Sequence, residues 1–482
     1  MSPRLNSLLL AFTLLCTVPS PGARAAAPGS APETPPSASA SGGGVNQALG
    51  WEVRPDGPQG AYLLLSDIHF DPFADPALVP DLVRTPAEGW DAVFAKAMPA
   101  ALPGYTDDCN WTLWRSARLA LRLSGVRYDY AIITGDILAH KFEDKYASSG
   151  AGNHSGYADF VRKTLQYVNL TLKAALGGTP LYWTLGNNDS ECGDYGIIPG
   201  GPLLAGLAKD WDTVASDPGA AADFPVDGYY ETSLPGTAGR IVALNTIAWS
   251  VHLSLKCAGA AQDPGSRELD WLGARLDKDA AEGLPVVLAM HIPPGLSGLK
   301  SQCGLPQEAF LKPAYQARFL ALLRRHASTV RLLYAGHTHF DDFKSYREGG
   351  VCVAAVHLAP SIGPNHGNNP SYQLGLYRRA DGSTLDLATY TLASLTSTAA
   401  GAADAWSLEY GFRRSYGLPF DRDGLDAATM AVHAGGQARA LYEAFYTGRT
   451  PSPAALAPSQ WLPYSCAQTC FTPEDFTACR CR

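Results

Sequence analysis

Five short motifs in this sequence carry side chains able to hold cations or move protons. They are Asp67-Ile-His69, Gly135-Asp136-Ile-Leu-Ala-His140, Gly186-Asn187-Asn188-Asp189, the single His291, and His337-Thr-His339. Between them they offer imidazole nitrogens, carboxylates and a neutral amide oxygen, with no thiolate. That donor set suits zinc, iron or manganese at a catalytic rather than a structural site. Each motif alone has a plainer reading. Gly-Asp and Gly-Asn form turns, because these residues tolerate left-handed backbone and bond to nearby backbone, and a lone His at a strand end is commonly structural. Five in succession along one chain supply ligands for two divalent cations.

Each motif directly follows an apolar run that must position it: AYLLLS before Asp67, DYAIIT before Gly135, PLYWTL before Gly186, PVVLAM before His291 and VRLLYA before Gly336. A further run is RIVALNT. Short apolar stretches closed by glycine or polar residues read as strands. The amphipathic stretches TLWRSARLALRLSG (112–125) and AYQARFLALLRRHA (314–327) predict helices between them. The alternation predicts an α/β core covered by helices, whose strands deliver the motifs to one crevice at their carboxyl ends. After about Ser394 the run TSTAAGAADA reads as a connector. AWSLEYGFRRSYG and ARALYEAFYTG beyond it are expected to be mainly helical. The expected organisation is a signal peptide over 1–25, an Ala/Pro/Ser/Gly linker over 26–50, a catalytic domain over 51–395 and a small helical, Cys-rich subdomain over 396–482.

The chain has 482 residues, 46% hydrophobic and 17% charged, which is ordinary globular composition. Its net charge of −8 argues against a nucleic-acid groove. Phosphate-bearing substrates stay open, since bound cations can invert the local field. Arg4, the apolar run after it and the small residues around Ala23 and Ala25 have the pattern of a cleaved secretory signal, so the expected location is secreted or periplasmic. After Cys16 there are nine cysteines, at 109, 192, 257, 303, 352, 466, 470, 479 and 481. In an exported chain these are disulfide candidates ahead of the alternative, a thiolate zinc site in the C-terminal cluster.

The order of motifs resembles the calcineurin-like metallophosphoesterases, from about Tyr62 to His339. The resemblance implies a metallophosphoesterase fold: α/β, a central β-sandwich flanked by helices, here with a mainly helical C-terminal appendage. It implies two divalent metal ions, zinc first, with iron or manganese as alternatives. Carried over by position, Asp67, His69 and His339 would hold the first ion, Asn187, His291 and His337 the second, and Asp136 would bridge them. An anionic carboxylate between two cations offsets their repulsion. MHIPPG, LNTIAWS, DPGSRELDWL, TGDILAH and YSCAQTCFTPEDFTAC are similar to acid sphingomyelinase-like phosphodiesterases over most of the chain after Trp51. That likeness suggests a disulfide between Cys257 and Cys303. One departure stands out: Asn188 occupies a place where the common family pattern has His. Asn188 can grip a phosphoryl oxygen but cannot cycle a proton, so general-acid work would fall to His140, unless His140 only supports the metal ligands. GNND is also similar to the motif of endopolyphosphatase-like members.

The expected activity is that of an exported, metal-dependent phosphoric ester hydrolase. It would cleave a phosphodiester, a sphingomyelin-type headgroup or a nucleotide-type diester, by attack of a metal-bridging hydroxide, with Asp136, His140 and Asn188 at the reacting centre. The runner-up is hydrolysis of a phosphoanhydride, polyphosphate or a nucleoside triphosphate. A reading of another class, a non-catalytic secreted binding protein, is opposed by the presence of all seven ligand residues. Trp406, Tyr410, Phe412, Tyr442, Phe445 and Tyr446 would either line an apolar route from a membrane lipid surface or, as we favour, pack the appendage onto the core. The chain is expected to act as a monomer.

Overall fold

The apolar runs become the strands of two facing sheets. The computed structural model describes residues 49–480, apart from residues 52, 54–56, 98–100, 151–155, 259–262, 299, 302–306, 396–401, 403–404, 451–455 and 457–460. The expected signal peptide and nearly all of the expected linker lie outside the described residues, as do Cys303 and Cys481.

In chain order the strands are β1 (Gln59–Leu65), β2 (Tyr130–Ile133), β3 (Leu181–Trp183), β4 (Tyr230–Ser233), β5 (Arg240–Ala243) and β6 (Val286–Ala289). They continue with β7 (Val330–Ala335), β8 (Asp342–Glu348), β9 (Val351–Leu358), β10 (Ser371–Arg378), β11 (Thr384–Leu392) and β12 (Trp406–Gly411). One sheet has the order β12-β11-β10-β1-β2-β3 and the other β4-β5-β6-β7-β9-β8. β1, β2 and β3 run parallel, as do β5, β6, β7 and β9. Buried on both faces, these strands are continuous apolar runs rather than alternating ones. The sheets meet through polar contacts in an otherwise apolar interior. Tyr62 OH of β1 meets Tyr334 OH of β7 at 2.5 Å, and His357 Nε2 of β9 lies 2.8 Å from Gln373 Oε1 of β10. Burying tyrosine and histidine this deeply requires such partners.

The helix Trp111–Leu123 matches the expectation over 112–125. Asn110 caps it, its Oδ1 accepting from Leu113 N at 3.0 Å, and Leu113, Trp114, Ala117, Ala120 and Leu121 form its buried stripe. The helix Pro313–Arg325 starts on a proline and ends on Arg324 and Arg325, which complement the helix dipole.

Two expectations are corrected. AWSLEYG was expected to be helical, yet Trp406–Gly411 is β12, antiparallel to β11. The alternation Trp-Ser-Leu-Glu-Tyr fits a strand, and Tyr410 turns inward to stack on Phe445 at 3.9 Å between ring centroids. From Phe412 onward the appendage is helical, in Phe412–Tyr416, Arg422–Ala434, Gly436–Phe445, Trp461–Thr469 and Pro473–Arg480. It docks on β8, where Tyr442 OH donates to Asp342 Oδ1 at 2.6 Å. All six aromatic residues named for the appendage are buried, which is the packing role, and Tyr446 also lines a cleft.

The second correction concerns Cys257. It is bonded to Cys192, with Cα atoms 6.2 Å apart, and so is not available to Cys303. The cause is local: Gly196 and Ser254 form a bridge, with Ser254 N donating to Tyr195 O at 2.9 Å, which lays 192–197 beside 254–257. Cys466 and Cys479 form a second disulfide, joining the last two helices. Cys109, Cys352 and Cys470 are thiols. No helix among the described residues is long and apolar enough to cross a membrane.

Candidate metal centre

β1, β2 and β3 from one sheet and β6 and β7 from the other end at the same place. Their carboxyl ends release Asp67 and His69, Asp136, Asn187, His291, and His337 and His339. The backbone makes unusual turns to aim them. Asp67, His69, Asp136, His337 and His339 all have left-handed φ, between +46° and +73°. Such conformations cost roughly 1–3 kcal/mol each in non-glycine residues and persist where the surroundings enforce them. Gly135, itself left-handed at φ +85°, and Gly186 also meet a demand for close approach. A Cβ on Gly186 would overlap the backbone nitrogen and Oδ1 of Asp136, and one on Gly135 would press on the Gly186 nitrogen. Without side chains at these two positions, the turns carrying Asp136 and Asn187 can touch.

All seven residues come together, in two groups that share Asp136. In the first, His69 Nε2 lies 3.1 Å from His339 Nε2 and 3.6 Å from Asp136 Oδ2, and His339 Nε2 lies 3.4 Å from Asp67 Oδ1. In the second, Asn187 Oδ1 is 3.0 Å from both His291 Nε2 and His337 Nδ1, and His291 Nε2 is 3.3 Å from Asp136 Oδ2. Donor atoms around a cation at bond lengths near 2.1 Å stand roughly 3.0–3.4 Å apart. His69 Nδ1 faces the Leu138 carbonyl at 3.0 Å and His291 Nδ1 the Thr134 carbonyl at 2.7 Å. A carbonyl only accepts, so both rings carry a proton on Nδ1 and direct Nε2 inward. Against burial, Asp136 and Asp67 raise both rings, His291 to about 9, and the extra proton this favours on Nε2 is one a bound cation would displace.

The electrostatics favour cations. Burial works against charge on Asp136, but His291 and His69 outweigh it and hold the carboxyl well below the usual range. Burial and the neighbouring His291 push His337 down to about 3, and burial with the surrounding imidazoles holds His339 far below its ordinary value. These two rings therefore keep their lone pairs at neutral pH. The lone pairs of His337 and His339 and the ionised Asp136, all buried, are donors that divalent ions fit.

Asn188 does not face the cleft. Its backbone N–H donates to Asp136 Oδ1 and its Nδ2 to Asp136 Oδ2, both at 2.8 Å, so one of its two amide N–H groups holds the carboxylate. Asp189 closes the motif from behind. Its Oδ1 accepts from Ile137 N at 2.8 Å and Leu138 N at 2.9 Å, and its Oδ2 from Gly186 N at 2.9 Å. One buried carboxylate thus fastens the β3 turn to the β2 turn. Asp189→Ala would strand three buried N–H groups and is expected to cost about 3 kcal/mol in chemical denaturation. Unaltered stability would remove this role.

His140 borders the first group and stacks on His69 with ring centroids 4.0 Å apart. Its Nδ1 meets Asp108 Oδ1 at 2.8 Å, and Lys145 Nζ holds Asp108 Oδ2 at 2.7 Å. Burial pushes Asp108 up, but the bond to His140 and the nearby His69 and Lys145 charges bring its carboxyl down to about 2. Asn365 also donates to Asp108 Oδ1, at 2.9 Å, and His366 Nδ1 lies 2.9 Å from His339 Nδ1. Asp108, Lys145, Asn365 and His366 escaped the motif reading. The only signal for the last two was a polar His-Asn cluster following the strand VCVAAVHL. The centre opens into a cleft of about 510 Å³, reached by Asp136, His140, Asn187, His337 and His339 and walled on another side by Tyr446, Tyr464 and Lys344.

A two-sheet sandwich with this constellation at its strand ends defines a class. The calcineurin-like phosphoesterase family model matches residues 61–341, and the chain belongs to that family. It is similar to human acid sphingomyelinase-like phosphodiesterase 3b, at 26% identity over 78% of each chain. Human sphingomyelin phosphodiesterase is 27% identical over 67% of this chain and 49% of its own length, so this chain spans about half of that relative. Mouse cyclic GMP-AMP phosphodiesterase SMPDL3A is 24% identical, over 74% of this chain and 77% of that protein.

Proposed function

We propose that this protein hydrolyses phosphodiesters at a dinuclear centre, with Asp67, His69 and His339 holding one divalent cation, Asn187, His291 and His337 the other, and Asp136 both. The observation that carries this reading is the position of Asp136 Oδ2, 3.6 Å from His69 Nε2 and 3.3 Å from His291 Nε2, common to both donor groups. When bound, two cations supply an activated water at neutral pH and offset phosphoryl charge. The chain's own part is to orient and to move a proton. Asn188, bonded twice to Asp136, sets the angle of the shared carboxylate. His140, held at Nδ1 by an ionised Asp108 and lining the cleft, would protonate the leaving oxygen from its other nitrogen.

Diesters are favoured over anhydrides because the names of the similar proteins span a lipid and a nucleotide diester, and diester cleavage is common to them. Residues 51–395 would form the catalytic core, and 396–482 would wall one side of the cleft through Tyr446 and Tyr464. Export is supported by the Cys192–Cys257 and Cys466–Cys479 disulfides, since such bonds persist in oxidising compartments. Zinc is the ion the mixed nitrogen and oxygen donors favour, with iron and manganese as alternatives. The test is phosphorus NMR of zinc- or manganese-loaded protein acting on sphingomyelin, a dinucleotide, ATP and polyphosphate together. New phosphomonoester resonances from a diester are expected. Loss of the anhydride resonances with the diesters intact would overturn the reading in favour of phosphoanhydride hydrolysis.

A further inference from the structure

Lys344 lies on β8 and is 3% exposed, yet it lines the cleft that contains Asp136, His337 and His339. Its ammonium has three donors. Among the described residues one acceptor meets it, the Leu296 carbonyl at 3.2 Å, and the ammonium also stands 5.0 Å from the centroid of the Phe310 ring. Asp342, the carboxylate whose charge it feels, makes no hydrogen bond or ion pair with it; Asp342 Oδ1 accepts instead from Tyr442 OH at 2.6 Å and Phe343 N at 2.7 Å. Elsewhere on this wall Lys300 pairs with Glu308 at 2.9 Å, and Asp194 accepts a hydrogen bond from Asn187 Nδ2 at 2.8 Å. Burial pulls Lys344 down to about 8 against the opposing effect of Asp342, so it is still largely charged at neutral pH.

A buried cation with donors to spare is costly unless something anionic completes it. We infer that Lys344 is the binding point for a second phosphate, carried on one arm of the phosphodiester that is cleaved at the metal centre. The inference rests on the phosphodiesterase reading above and narrows it. A substrate whose arm ends in a cation, such as a choline headgroup, is repelled at this wall. One whose arm carries a phosphate gains a charge-assisted hydrogen bond away from bulk water. Lys344 acts on the arm, not on the reacting phosphorus, so its effect falls on substrate choice.

The test compares two substrates that release the same chromophore: the p-nitrophenyl ester of thymidine monophosphate, and its analogue with an additional phosphate on the other sugar hydroxyl. Wild-type protein is expected to prefer the doubly phosphorylated substrate in kcat/KM. Lys344→Met is expected to reduce that preference about 10- to 100-fold, mainly through KM. Lys344→Gln, which keeps a donor for Leu296 O, should do the same, and thermal melts of both variants check folding. Turnover of both substrates by wild type with no preference overturns the assignment and leaves the diesterase reading standing. A preference that survives in Lys344→Met, or an equal loss on both substrates, also overturns it, since the side chain would then only hold the wall in shape. Release of p-nitrophenol from neither substrate overturns the diesterase reading itself, and this inference with it.

Discussion

Asp136→Asn is expected to lower kcat by roughly four orders of magnitude, about 5.4 kcal/mol of barrier, and to reduce bound metal from two ions per chain to one or none. The substitution removes the one anionic oxygen common to both donor groups. It does further harm through Asn188, which donates to both carboxylate oxygens of Asp136. An amide at position 136 would turn one of those acceptors into an NH2 facing a donor. Kinetics and elemental analysis on the same preparation check the result. Near-normal turnover by a variant carrying two ions would refute the assignment of the centre.

The second large effect concerns His140. If it protonates the departing oxygen, His140→Ala should cost about 10²- to 10⁴-fold on a diester with an alkoxide leaving group. On a p-nitrophenyl diester the cost should be within a few-fold, because p-nitrophenolate leaves without help. Asp108→Asn should follow the same pattern more weakly, since it loosens the ring without removing it. A uniform loss across leaving groups would make His140 a support for His69, on which it stacks.

Much of this was readable before any coordinates. A parallel strand buried on both faces is a continuous apolar run, and the residue that ends it lies at the rim where ligands bind, so AYLLLS followed by Asp-Ile-His states both the strand and the site. What escaped depends on contacts between distant segments. The Cys192 to Cys257 bond follows from the Gly196–Ser254 bridge, which no spacing announces. The bond from Asn188 to Asp136, 52 residues away, likewise exists only in three dimensions. β12 was hidden because its five alternating residues run straight into a helix. Lys344 sits in DFKSYRE, where a lysine would ordinarily face water. There both faces of the strand are covered, because helices of the C-terminal segment pack over it.

The left-handed backbone of the centre has a consequence for how this molecule can change. Asp67, His69, Asp136, His337 and His339 are each constrained twice, by the atom they present and by the conformation that presents it. Glycine would relax the backbone most, and glycine has nothing to present; of the other residues, Asn, Asp and His tolerate this conformation best. Random substitution at these positions therefore meets few residues that are both comfortable and competent. Lys344, Tyr446 and Tyr464 on the opposite wall have no left-handed backbone and touch none of the shared oxygens. Libraries aimed at new substrates should therefore find their survivors on β8 and the C-terminal helices, and almost none in the turns after β1, β2 and β7.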